Sequence, residues 1–200
     1  MYILGITGSF GSGKTTVAHL LRRKGDTVLD ADKIAHRFLV PGKASFDRIV
    51  KYFGSKILTQ GRIDRRKLAK IVFDDPKSLK KLDSVLHPEV IKEINIRVKK
   101  HRAKKSKSFL IIDAPLLFET GLQALCDYVV VVRARRDLQV ARIQQRSSLS
   151  KTEILKRMKA QMPSKEKIVR ADFVIDNQGH INQTKKQVEE LWQRLTRMKK

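Results

Sequence analysis

The sequence is short of cysteine, of aromatic rings and of acid, and each shortage closes something off. One cysteine, Cys126, in 200 residues leaves no intrachain disulfide to form, which excludes the cross-linked frameworks of small exported domains. Set in "LQALCDYV", it reads as a buried core thiol and not as a nucleophile. No apolar run approaches the roughly 18 residues that cross a bilayer; the longest ends in "YVVVV" at 128–132. The opening "MYILGITG" is too short and too glycine-rich for a secretory signal. A cytoplasmic protein without a membrane span is expected. Aromatics make up 6% of the chain, too few for a base-stacking surface, and no RNA-binding signature occurs, so no specific nucleic-acid partner is expected. Twenty Asp and Glu against 44 Lys and Arg give a net charge of +24. Such an excess favours polyanions, from nucleotides to anionic surfaces, and so selects a ligand class without selecting a reaction. Its dense blocks, "KKHRAKKSK" at 99–107 and "RMKK" at 197–200, read as a solvated helix end and a frayed tail.

What is present is an alternation of apolar strands and helical patterns. "YILGIT" (2–7), "TVLDAD" (27–32), "SFLIIDAP" (108–115), "DYVVVVRA" (127–134) and "ADFVID" (171–176) read as strands, several of them apolar enough to be covered on both faces. "TTVAHLLRRKG" (15–25) places Val17, Leu20, Leu21 and Lys24 at helical spacing and stops at Gly25. From 33 to 100 the pattern is helical, with breaks expected at 40–43, 59–62, 74–76 and at "HP" (87–88). Residues 135–162 read as a basic helical pair interrupted near "SSLS". The last helix, 181–198, puts Ile181, Val188, Leu191, Trp192, Leu195 and Met198 on one face, with Trp192 as core. Parallel strands need crossover connections, so this alternation predicts an α/β fold with a parallel sheet. No repeat, low-complexity tract or flexible linker interrupts it.

The chemistry begins at "GSFGSGKT" (8–15), which matches G-x-x-x-x-G-K-[ST] between a strand and a helix. Glycines let backbone N–H groups turn inward around a β-phosphate, and the helix presents its positive dipole end to the same anion. Gly8, Gly11, Ser12, Gly13, Lys14, Thr15 and Thr16 are the nucleotide-binding set: Lys14 reaches the β- and γ-oxygens, and the Thr15 hydroxyl ligates Mg²⁺. Asp113, ending a hydrophobic strand, suits two duties, orienting Mg²⁺ through water or capping the turn before Pro115. Ligands of an open α/β sheet lie beyond the carboxyl ends of the strands. Asp30 and Asp32 stand there as candidate bases for an alcohol acceptor, and an N-cap of the following helix is a secondary reading of Asp32 that does not exclude the first.

Beyond this loop the chain resembles the dephospho-coenzyme A kinase family. The likeness rests on "DADKIAHRFLVPG" (30–42), "FGSKILTQGRIDRRKL" (53–68), "LHPEV" (86–90), "DAPLLFETGL" (113–122), "QVARIQQR" (139–146) and "ADFVIDNQG" (171–179), in the family's order. It implies a single P-loop NTPase-fold kinase domain with a five-stranded parallel sheet flanked by helices. The core would be 1–32, 108–134 and 171–200, with an acceptor-binding helical insertion at about 33–107 and a helical lid at about 135–165. ATP and dephospho-CoA would be its substrates, Mg²⁺ its metal, and the ribose 3′-hydroxyl of dephospho-CoA its acceptor, in a monomer or weak homo-oligomer.

The same resemblance gives Asp32 the role of base and Arg65 a place on acceptor phosphates. It makes Arg142 the lid arginine over the nucleotide and puts His87 and Glu119 on the acceptor side. From the residues alone, His87 reads as a helix-end residue before Pro88 and Glu119 suits a structural role. The loop departs from the family's more usual "GGIGSGK" in carrying Phe10, which leaves the backbone cradle intact because the inward groups are N–H. Competing readings are another small-molecule kinase on this scaffold and a nucleic-acid-stimulated ATPase.

Overall fold

A computed structural model describes residues 2–23, 25–104 and 108–198; Lys24, Lys105 to Lys107 and the last two lysines, parts of the readings above, lie outside them. The elements run β1 (Tyr2–Thr7), α1 (Lys14–Leu21), β2 (Thr27–Asp30), α2 (Ala31–Arg37), α3 (Ala44–Phe53), β3 (Leu58–Thr59), β4 (Arg62–Ile63), α4 (Arg65–Asp74) and α5 (Pro76–Ala103). There follow β5 (Phe109–Asp113), β6 (Tyr128–Arg133), α6 (Arg136–Arg146), α7 (Lys151–Lys159), α8 (Ser164–Val169), β7 (Phe173–Asp176) and α9 (Ile181–Arg197). The chain divides into two compact units, one of 1–30 with 97–200 and one of 31–96, so the boundary near 97 falls within α5.

The first unit is built on the predicted five-stranded parallel sheet, in the order β2-β5-β1-β6-β7. Alternation along β1 sends Leu4 and Ile6 to one face. There they join Phe109, Ile111, Val130 and Val132 under Val17 and Leu21 of α1 and Val188, Leu191 and Leu195 of α9. Trp192 packs at the edge of this core with the Arg23 guanidinium 5.1 Å from its ring centroid. On the other face Gly5 leaves room that a Cβ would take from Cys126 Sγ and Leu117. Cys126 is half-buried beneath the sheet and not the fully buried core thiol expected; partial burial still pushes its pKa up to about 12, and Sγ donates to the Leu122 carbonyl.

Part of the scarce acid is used at the start of this sheet. Asp26 accepts from the Phe109 N–H, Asp127 from the Ile3 N–H and Asp172 from the Val129 N–H, each at 2.7 Å. Each carboxylate thus satisfies a strand-end donor that the ladder leaves open.

The second unit packs Ile49, Phe53, Ile57, Ile63, Leu68, Val72, Val85 and Leu86 into its own core. Asp64 caps α4 by accepting from the N–H groups of Arg66 and Lys67. At "TQGR" the break is a β-hairpin: Gln60 and Gly61 both have positive φ, 50° and 72°, the twist that a two-residue turn needs between β3 and β4.

Four further expectations need correction. The second strand ends at Asp30, so Asp32 sits in the first turn of α2 and not on a strand. The first helix ends at Leu21, because Arg22 is extended, and not at Gly25. Residues 87–88 do not break the chain; α5 runs straight through Pro88. Proline in a helix interior costs about 3 kcal/mol, but Leu86, Val90, Ile94 and Val98 form one buried stripe at four-residue spacing on both sides of it. Finally, Ile181 and Met198 at the ends of α9 are exposed, leaving Val188, Leu191 and Leu195 as its buried face.

Candidate active site

β1 delivers the chain into the glycine loop, and α1 leaves it. Gly11 and Gly13 take φ of 82° and 89°, which β-carbon-bearing residues rarely adopt. No side chain caps α1 and no acid lies in its first turn, so its leading N–H groups and positive end are offered to an anion. Lys14, at the head of α1, pairs with Asp113 at 2.7 Å, and the Thr15 hydroxyl donates to the other oxygen of the same carboxylate at 3.1 Å. Asp113 is 2% exposed and ends β5, where parallel pairing sets it against Ile6 and Asp30. The sequence left two duties open for Asp113; the geometry puts it on the lysine and the hydroxyl of the loop. Thr16 follows on the exposed side of α1.

The loop is braced from outside by residues the motif does not contain. Asn177, just beyond β7, donates from Nδ2 to the Ser12 carbonyl at 2.8 Å and accepts from the Thr184 hydroxyl of α9. The Phe10 N–H donates to Gln161 Oε1 at 2.8 Å. The Phe10 ring packs with Leu149, Leu155 and Met158 against Val140, Ile143 and Ile154 of α6 and α7. The aromatic at this loop position therefore serves as a contact with the α6–α7 pair. That pair is well formed: Ser150 and Glu153 make a reciprocal capping box at the start of α7.

Arg142 lies on α6, and its Nη1 is buried without a hydrogen-bond partner. A buried guanidinium nitrogen left unsatisfied is costly unless an anion completes it. A cavity of ≈ 680 Å³, whose lining does not include Arg142, is bounded by Ser9 of the loop, by Arg136 and Gln139 of α6, and by Lys156, Lys159 and Met162. Glu119 is engaged within the protein: its Oε1 accepts from the Met162 N–H at 2.8 Å and pairs with Lys167 Nζ at 2.9 Å. Lys167 has no exposed surface, and it also donates to the Pro115 carbonyl. Burial lowers its pKa, and Glu119 opposes that shift.

In the second unit, Asp32 and His36 stand one turn apart on the exposed side of α2. Arg65, the first residue of α4, reaches the His36 ring at 2.9 Å. His87 pairs with Asp83 one turn earlier on α5, at 3.3 Å. His36 went unremarked in the sequence, although its spacing from Asp32 placed both on one face of a helix. Asn177, Gln161 and Lys167 had no such signal, since their partners lie far away in the chain.

Comparison with known proteins identifies the family. The sequence profile described as "Dephospho-CoA kinase" matches residues 2–183. A dephospho-CoA kinase from Carboxydothermus hydrogenoformans is 42% identical over 187 residues, 93% of this chain and 90% of that protein. A Thermus thermophilus protein of known crystal structure superposes with a TM-score of 0.75 at 37% identity, covering 97% of each chain. A dephospho-CoA kinase from Campylobacter jejuni superposes at 0.70 with 27% identity, covering 99% of this chain and 98% of its own. With the loop lysine, its carboxylate partner and a matching profile spanning nearly the whole length, the chain belongs to the dephospho-CoA kinase family.

Proposed function

We propose that the protein transfers the γ-phosphoryl group of ATP to the ribose 3′-hydroxyl of dephospho-CoA, releasing coenzyme A and ADP. What carries this is the match over residues 2–183, on a chain whose lysine, threonine and buried carboxylate already meet beside the glycine loop. The triphosphate binds along residues 8–16, with backbone N–H groups on the β-phosphate and Lys14 on the β- and γ-oxygens. On arrival Lys14 exchanges the Asp113 carboxylate for phosphate oxygen.

Enzymes of this family use a divalent metal. Thr15 Oγ1 and Asp113 Oδ2 suit Mg²⁺, since a hydroxyl and one carboxylate are hard oxygen donors of the kind Mg²⁺ takes alongside nucleotide phosphates and water. Bound with ATP, the ion would neutralise charge on the phosphate oxygens. Asp32, two residues past the end of β2, takes the proton of the ribose hydroxyl as its oxygen attacks the γ-phosphorus in line. The bond to the β–γ bridging oxygen breaks, and ADP leaves with that electron pair.

Arg65 clamps acceptor phosphate oxygens, with His36 holding the guanidinium in place beforehand. His87 serves the same acceptor segment, about 33–107. The segment 135–165 acts as a lid: the unsatisfied Arg142 nitrogen is completed by nucleotide phosphate, and closure keeps water from the phosphoryl group. Glu119 contributes by fixing the end of that segment through Met162 and Lys167. The enzyme works in the cytoplasm as a monomer or weak homo-oligomer. The deciding experiment is coupled ADP release with purified protein, Mg-ATP and dephospho-CoA, with the product weighed for one added phosphate. ADP release indifferent to dephospho-CoA refutes the assignment.

A further inference from the structure

We propose that Asn177 is a positioning residue for the nucleotide: by holding the Ser12 carbonyl on the outer side of the loop, it aims the Gly13 N–H at the β-phosphate. Asn177 is 7% exposed, and a buried amide is stabilised only if its polar atoms are paired. Three of its polar groups are engaged. Nδ2 donates to the Ser12 carbonyl at 2.8 Å, Oδ1 accepts from the Thr184 hydroxyl at 2.8 Å, and the backbone N–H donates to the Arg133 carbonyl at 2.9 Å. A carbonyl can only accept, so the Ser12 oxygen fixes which end of the amide faces the loop. Thr184, with no exposed surface, closes the other end.

The consequence follows from the planarity of the peptide unit. The chain has no cis peptide bond among its described residues, and in a trans unit the C=O and N–H point in opposite directions. Pinning the Ser12 C=O toward Asn177 therefore turns the Gly13 N–H away from Asn177. That is the side on which a phosphate-holding loop presents its donors. Glycine at position 13 is required on this account as well as by its positive φ. A Cβ there would run into Asn177 Nδ2, so the bracing amide approaches a backbone with nothing in between. Ser12 is tied a second time, its own N–H donating to the Ser9 carbonyl at 3.0 Å. The loop is thus set before any ligand arrives, which spares the nucleotide the cost of ordering it.

This inference rests on the phosphate-loop reading and not on the identity of the acceptor, so its test uses ligands that differ only by the β-phosphate. ADP and AMP affinities are measured by calorimetry, AMP by competition against ADP, for the wild type, Asn177→Ala, Thr184→Val and the double variant. Asn177→Ala is expected to cut the preference for ADP over AMP about tenfold, as losing one aimed hydrogen bond to a charged group does, while AMP affinity holds. Thr184→Val keeps its shape and frees the amide to turn; it should cut the preference about threefold and add nothing to Asn177→Ala. In turnover, KM for ATP rises and KM for dephospho-CoA does not. An undiminished preference, or equal loss for ADP and AMP, overturns the role of Asn177. If Asn177→Ala does not fold, an unchanged preference in Thr184→Val does the same. A wild type that does not prefer ADP to AMP overturns instead the phosphate-loop reading beneath it.

Discussion

Glu119→Gln isolates one charge in one buried pair. Gln keeps an acceptor for the Met162 N–H but removes the carboxylate from Lys167, whose ammonium has no exposed surface. Depriving a buried ion of its partner costs about 3–5 kcal/mol. The Glu119 side chain is 21% exposed, so solvent has already weakened the pair, and about 2–3 kcal/mol is the appropriate expectation. For a chain of this size each kcal/mol moves Tm by about 2–4 °C, giving a fall of about 4–12 °C at pH 7.

The pH dependence identifies the cause. Burial holds the Lys167 pKa below the ordinary 10.5, and Glu119 partly restores it. Without Glu119 the folded pKa drops further, and between that value and 10.5 the unfolded chain binds more protons than the folded one. Stability then rises with pH across this window. The deficit of the variant should therefore be largest near neutral pH and shrink toward about pH 10. Calorimetric melts at pH 7 and 10 read both effects. A deficit equal at the two values, or none at pH 7, refutes the assignment of an uncompensated buried ammonium.

Asp32→Asn should lower kcat by about 10²–10⁴-fold, the worth of a general base, while ADP affinity stays nearly unchanged; retained turnover removes Asp32 from the reaction. Asp113→Asn takes the carboxylate from both Lys14 and Thr15, and the Mg²⁺ concentration for half-maximal rate should rise about 10–100-fold. An unaltered metal titration would show that Asp113 serves only the free protein. Cys126, its thiol pushed from 9.0 to about 12, should carry about 10³-fold less thiolate than an unperturbed cysteine. Iodoacetamide at pH 8, followed by mass, should leave the native protein almost unlabelled, and labelling at the rate of a free thiol contradicts the burial.

The parallel sheet was legible because its strands are covered on both faces and so read as unbroken apolar runs, as at Val129 to Val132. The glycine loop was legible because its residue types are forced by local backbone geometry. Duties set by distant partners were not. Asp113 could be placed at the end of a strand, with duties on Mg²⁺ through water or on the turn both open, but its bonds to Lys14 and Thr15, about a hundred positions away, were not visible. Asn177 and Ser12 are separated by 165 positions, and nothing local to either announces the bond. Pro88 misled for the opposite reason: a strong local signal for a break was overruled by burial on both sides of it. Glu119 lay between the two, its structural suitability visible and its partners Lys167 and Met162 hidden.

The central strand has a consequence for synthesis on the ribosome. Residues 2–7 are flanked on one side by 109–113 and on the other by 128–131. At about 5–20 residues per second, those neighbours appear roughly 5–20 s after the strand itself. Throughout that interval both hydrogen-bonding edges of the 2–7 segment lack the partners they have in the fold. The motif that looks ready-made at the beginning of the chain is therefore among the last parts to acquire its shape, and this early apolar segment is where a chaperone would have most to protect.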